Sequence, residues 1–144
     1  LGDRPLLFKD KLIFKMPGTI GYPLHQDYAY VRDLGFAGHQ QLAVCLAVDK
    51  ATRENGATEL LPGLQGGLLA TPAEAHHAID DALVADVPGY FAELDPGDAL
   101  FFHSLSPHRA APNGTDRPRR LLFFTYNGAT AGDLYDTYYR LGKP

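Results

Sequence analysis

Short apolar runs with a period near two recur along the chain, separated by Pro, Gly and Asn. The run LLFKDKLIFK (6–15) alternates in part and is rich in Phe, Leu and Ile, which predicts a strand. MPGTIGYP then supplies Pro and Gly punctuation, and an extended segment through His25 follows. QLAVCLAVD (41–49) is continuously apolar and predicts a strand buried on both faces. Asn55–Gly56 is a turn signal, with ATELL behind it. PGYFAEL and DPGDALFFHS read as strands joined by a turn at Pro96 and Gly97, and RRLLFFTYN (119–127) as a further strand.

Two segments break this rhythm. TPAEAHHAIDDAL (71–83) predicts a helix, with Thr71 as N-cap, Pro72 in the first helical position and Glu74 completing a capping box. AGDLYDTYYR predicts a short helix whose Tyr135, Tyr138 and Tyr139 dock it on the body. Many short strands at turn-punctuated intervals predict an all-β sandwich or barrel with one or two short helices.

Composition narrows the function. A length of 144 residues with 45% hydrophobic positions suits one domain over 1–144. The net charge is −4 and Lys and Arg are dispersed, which argues against nucleic acid or an anionic membrane as partner. Cys45 is the single cysteine, so no internal disulfide forms. A buried small hydrophobe in a reducing, cytoplasmic compartment is the expectation. No apolar run reaches membrane-spanning length.

The candidate chemistry begins at His25 and Asp27. Residues two apart on an extended strand share a face, so an imidazole and a carboxylate would sit together. With one more histidine they would make a two-His, one-carboxylate site with open coordination positions, which suits non-heme Fe(II); zinc accepts the same ligands. Alone, a His-X-Asp pair is more often just hydrogen-bonded. The late segment FFHSLSPHRAAPN offers His103 and His108, and Pro107 interrupts the strand, so alternation does not choose between them. Arg119 and Arg120 open a very apolar strand and point to opposite faces. Whichever turns inward needs an anion, either a rim acid such as Asp98 or Asp116, or a dicarboxylate ligand.

Together these segments resemble the phytanoyl-CoA dioxygenase family of Fe(II)- and 2-oxoglutarate-dependent oxygenases. YPLHQDYAY is similar to the family's segment for the first two iron ligands. ENGATELLPGLQGG resembles its Asn-Gly turn, strand and Pro-Gly. PGDALFFHSLSPHRAAPNGTDRPRRLLFFTYN resembles the segment carrying the third ligand and the 2-oxoglutarate arginine.

The resemblance runs from about Leu6 to Asn127 and implies a double-stranded β-helix (jelly roll, cupin-like). It implies iron held by His25, Asp27 and His108, with His103 a near-site residue. It also implies a 2-oxoglutarate arginine at Arg119, Arg120 outward, a cosubstrate contact at Tyr22 and a turn role for Asn113. Fe(II), 2-oxoglutarate and dioxygen would be the cofactor set, and a small-molecule metabolite the substrate. Because Asp27 keeps the carboxylate, hydroxylation is implied rather than halogenation.

Relatives carry a helical region ahead of the matched part, and this chain shows none. The expectation is an apolar sheet face without its cover, open to self-association or to a further segment. Lys9, Lys11, Lys15, Arg32 and Arg109 could recognise an anionic substrate, with solvated surface charge as the default. His76 and His77 are expected on the predicted helix or its loop. Asp33, His39 and Gln40 are expected in a loop over the site. The competing readings are a metal-dependent hydrolase or isomerase on the same barrel, and a binding module without catalysis.

Overall fold

The computed structural model describes residues 1–36 and 41–141. Two four-stranded antiparallel sheets face one another. The larger runs β1 (Pro5–Lys15), β8 (Arg119–Gly128), β3 (Gln41–Ala47) and β6 (Ala99–His103) in spatial order. The smaller runs β2 (Tyr22–His25), β7 (His108–Ala110), β4 (Thr58–Leu60) and β5 (Tyr90–Phe91). The chain passes repeatedly from one sheet to the other, the topology of a double-stranded β-helix. Helix α1 (Asp27–Asp33) follows β2, and α2 (Tyr135–Leu141) ends the described chain.

Side-chain alternation fills the space between the sheets. Ala43, Cys45, Ala47, Phe102 and Leu121 form the core of the larger sheet's inner face. A register shift between Leu7 and Lys9 sets the alternation of β1, so that Lys11, Ile13 and Lys15 line the interior cavity. A second core gathers Leu24, Leu61, Ile79 and Val84 beneath the smaller sheet.

The outer face of the larger sheet is only partly covered. In register across β1, β8 and β3 lie Leu12, Leu122 and Leu46, and in register across β8, β3 and β6 lie Phe124, Val44 and Phe101. Leu12, Phe14 and Phe101 on this face are exposed. This also corrects the reading of β3 as buried on both faces. Ala43, Cys45 and Ala47 are buried, while Leu42, Val44 and Leu46 on the outer side are half-buried.

The predicted helix over 71–83 is not formed. Two 3-10 turns, Ala73–Ala75 and Asp81–Val84, flank a reversal at His76 and His77. Both histidines have positive φ, 45° and 69°, which no helix tolerates. Tertiary contacts override the capping signal: Ile79 N–H donates to Leu24 O on β2, and Ile79 and Val84 join the second core. The C-terminal helix does form. The Tyr135 hydroxyl donates to Asp10 Oδ1 at 2.7 Å, the Tyr139 hydroxyl to Asp10 O, and the Tyr138 ring packs on Phe8.

Candidate metal centre

β2 ends at His25, and Gln26 keeps an extended backbone (φ −117°, ψ 123°) before α1 begins at Asp27. Asp27 is therefore the first residue of a helix rather than part of a strand, a correction to the expectation. The extended Gln26 preserves the two-residue alternation, so His25 and Asp27 still face the same cavity. The helix starts there because Ala29 and Val31 are buried on its inner side.

Gln26 points the opposite way and is 1% exposed. Its Nε2 donates to Gly67 O (2.8 Å) and Leu105 O (2.6 Å), and its Oε1 accepts from Leu69 N–H at 2.8 Å. One buried amide thus ties the His25–Asp27 segment to two loops. Sequence reasoning passed over Gln26, although a polar residue alternating between two site candidates had to point into the body.

The third partner is His108. It lies directly opposite His25 in the β2–β7 ladder, with ring centroids 4.2 Å apart. His25, Asp27 and His108 each offer one donor atom, and these lie within 4.8 Å of one another. His103 stands elsewhere, on β6 in register with Leu42 of the outer row. Its Nδ1 accepts from Leu105 N–H at 3.1 Å in the turn leading to β7.

Both cluster histidines are oriented alike. His25 Nδ1 sits 2.8 Å from Pro23 O and His108 Nδ1 sits 3.0 Å from Ser106 O. A carbonyl can only accept, so each Nδ1 carries the proton and each Nε2 presents a lone pair. Desolvation, reinforced by His108, pushes His25 down to about 4. Burial opposes ionisation of Asp27, but Lys9, His108, His25 and Lys11 outweigh it and hold the carboxyl below its ordinary value. Lys9 Nζ is 3.7 Å from Asp27 Oδ1. Two imidazole lone pairs and one carboxylate converging from one side are a donor set that can hold a divalent transition metal.

The cluster opens on a cavity of about 180 Å³, lined also by Lys11, Lys15, Tyr22, Thr58, Arg119 and Phe123. Arg119 is 2% exposed. Its Nη2 donates to Gly56 O at 2.5 Å, and its Nε is buried with no partner. Desolvation depresses its pKa, and the Asp49 charge that opposes this belongs to Arg120, which binds it bidentately at 2.8 Å. Arg120 is the outward residue, as the resemblance implied. Tyr22 lies opposite Ala110 with its ring 5.3 Å from that of His25.

The other cations sort by partner. Arg109 is held by Glu59 (2.6 Å) and Asp81 (2.7 Å), and Arg32 by Asp33 (2.8 Å). Lys9 and Lys15 are buried, at 8% and 5% exposure, which corrects their default reading as solvated surface charge. Asn113 has the expected turn role: its Nδ2 donates to Lys15 O and Arg117 O, and its Oδ1 accepts from Thr115. Asp33 ends α1 and lies 3.0 Å from His77 Nε2, joining that helix to the 62–89 segment. His39 and Gln40 lie outside the described residues.

Residues 3–121 match the family model described as phytanoyl-CoA dioxygenase (PhyH). The chain belongs to the phytanoyl-CoA dioxygenase family. Within its reach, a methylphosphonate hydroxylase from Gimesia maris is 38% identical over 143 residues, 96% of this chain and 52% of that protein. A 2-aminoethylphosphonate dioxygenase from uncultured bacterium HF130_AEPn_1 is 31% identical over 140 residues, 97% of this chain and 52% of that protein. A crystal structure of EvdO2 from Micromonospora carbonacea var. aurantiaca, complexed with 2-oxoglutarate, is 30% identical with a TM-score of 0.71. That likeness covers 85% of this chain and 51% of EvdO2. The chain spans about half the length of the relatives it matches. No described helix is long and apolar enough to cross a membrane.

Proposed function

We propose that the protein is an Fe(II)- and 2-oxoglutarate-dependent dioxygenase that hydroxylates a small molecule. The observation that carries this reading is the pairing, in one cavity, of a His25–Asp27–His108 donor set with a buried Arg119 whose Nε has no partner. In this reading His25 Nε2, His108 Nε2 and an Asp27 oxygen hold the metal. Arg119 binds the distal carboxylate of the cosubstrate, satisfying the buried guanidinium. Tyr22 covers the cosubstrate side of His25.

Bound together, Fe(II), 2-oxoglutarate and dioxygen supply the oxidising chemistry, in which the keto acid goes to succinate and CO2 while the substrate gains a hydroxyl. The chain's own task is to position and to exclude water. Pro23 O and Ser106 O keep the two Nε2 lone pairs available without proton loss on metal entry. Lys9 holds Asp27 ionised, and Gln26 fixes the segment that bears both first ligands. A hydrolase on this barrel would leave the buried Arg119, whose Nε has no partner, without a duty.

The substrate side is read as anionic. Lys11 lines the cavity near Asp27 and, unlike Arg109 and Arg32, has no salt-bridge partner among the described residues. The two relatives named for phosphonates agree with a small phosphonate-bearing molecule. The buried thiol Cys45, held up to about 12 mainly by desolvation, suits a reducing cytoplasmic setting.

The test is anaerobic equilibrium dialysis with Fe(II), followed by succinate release with methylphosphonate and 2-aminoethylphosphonate. Asp27→Ala should lose iron binding, and Lys11→Met should raise the substrate KM without changing iron content. Iron binding that is indifferent to Asp27→Ala would refute the metal site.

A further inference from the structure

The cavity lining holds two neighbouring buried cations on adjacent strands, not one. Lys15 is the direct cross-strand partner of Arg119 in the β1–β8 ladder, and both line the cavity. Both are nearly fully buried. The Lys15 ammonium donates to Ala111 O, and Arg119 to Gly56 O. Neither has a salt-bridge partner among the described residues, and Asp27, the one carboxylate lining the cavity, lies against Lys9.

The local backbone is built around this pair. Gly56 has φ +78°, and a Cβ there would fall 2.6 Å from Lys15 Nζ and 2.3 Å from Ala111 O. The Asn55–Gly56 turn therefore both leaves room for the ammonium and supplies the carbonyl that holds the guanidinium. Asn113 Nδ2, bonded to Lys15 O at 2.9 Å, fixes the lysine backbone from the other side.

Two like charges side by side out of water are costly unless an anion is shared between them. Burial, with a smaller contribution from Arg119, has already pushed Lys15 down to about 8. We propose that Lys15 and Arg119 form a two-cation clamp on a single carboxylate, the distal carboxylate of the cosubstrate. This rests on the reading of Arg119 given above and extends it, since Lys15 becomes a binding residue that sets selectivity for keto acids with a second carboxylate.

The test compares 2-oxoglutarate with 2-oxobutyrate, which has the keto-acid end but no distal carboxylate. Binding is measured by anaerobic calorimetry on the Fe(II)-loaded protein, in wild type, Lys15→Met, Lys15→Gln and Arg119→Met. Losing one charge-assisted contact should weaken 2-oxoglutarate binding roughly ten- to a hundredfold in both Lys15 variants, with iron affinity and 2-oxobutyrate binding unchanged. If both Lys15 variants bind 2-oxoglutarate like wild type while Arg119→Met does not, the two-cation clamp is overturned and the Arg119 assignment stands. If wild type binds both keto acids alike and Arg119→Met changes nothing, the underlying assignment fails, and the clamp with it.

Discussion

Replacing Lys15 by Met should make the ligand-free protein's stability less dependent on pH. Lys15 is 5% exposed, and its pKa falls from 10.5 to about 8 through desolvation first and Arg119 second. A fall from 10.5 to about 8 corresponds to roughly 3 kcal/mol between the folded and unfolded states. The sign follows from proton counting. Between pH 8 and 10.5 the unfolded chain binds the lysine proton more tightly than the folded one, so wild-type stability rises with pH in that window. Below about pH 8 both states are protonated and the full penalty of the buried charge applies.

Met fills similar space without charge, so the variant gains that ~3 kcal/mol at pH 7 and loses the advantage as the window is crossed. The Ala111 carbonyl left without its donor costs about 1–3 kcal/mol. That offset does not titrate, and it shifts the difference curve without changing its slope. The assay is urea unfolding of both proteins in chelator, without keto acid, from pH 7 to 10. Other titrating groups are common to both proteins and cancel in the difference. A wild-type minus variant difference that stays constant across that range would refute a charged, buried Lys15.

Gln26→Ala removes three hydrogen bonds to buried loop backbone and should cost about 2–4 kcal/mol in urea unfolding while also weakening metal binding; stability lost with metal affinity intact would separate the fold from the site. Arg109→Ala frees Glu59 and Asp81, and because the guanidinium is partly solvated the expected loss is only about 1 kcal/mol, with faster proteolysis of the 62–89 segment as the sharper readout. His25 is held down at about 4, chiefly by desolvation, so as pH falls from 6.5 towards 4 the unfolded chain takes up its proton first. The metal-free protein should then lose roughly 3 kcal/mol across that interval, and a His25→Gln variant that shows the same acid slope in urea midpoints would contradict this.

The strands were legible because alternation and turn chemistry agreed there. β1 and β8 fall where apolar runs end close to Pro, Asn or Gly, and β3 where the apolar run ends in the polar stretch from Asp49 to the Asn55–Gly56 turn. The helix expected over 71–83 failed because a capping box is worth little when the segment must lie along β2 and send Ile79 and Val84 into a core. The spacing of Asp27 from His25 fits a strand, but an extended Gln26 leading into a helix places the two side chains on one face equally well.

Alternation put Arg119 and Arg120 on opposite faces, but it could not say which face was the interior; that depends on Asp49, seventy-one residues away, taking Arg120. Nor could it separate His103 from His108, because the turn between β6 and β7 breaks the count. The burial of Lys9 and Lys15 was not legible at all. Lysines at two-residue spacing on a strand normally mark its wet face, and here that row points inward because Asp27 and the cavity lie opposite.

The most direct test of the central claim is an anaerobic titration of Fe(II) and then 2-oxoglutarate, followed in the visible range for the weak charge-transfer band of the chelate. Wild-type protein should give a band, His108→Ala should give none, and Arg119→Met should need a much higher 2-oxoglutarate concentration. A folded, iron-loaded wild-type protein that gives no band at saturating 2-oxoglutarate would contradict that claim.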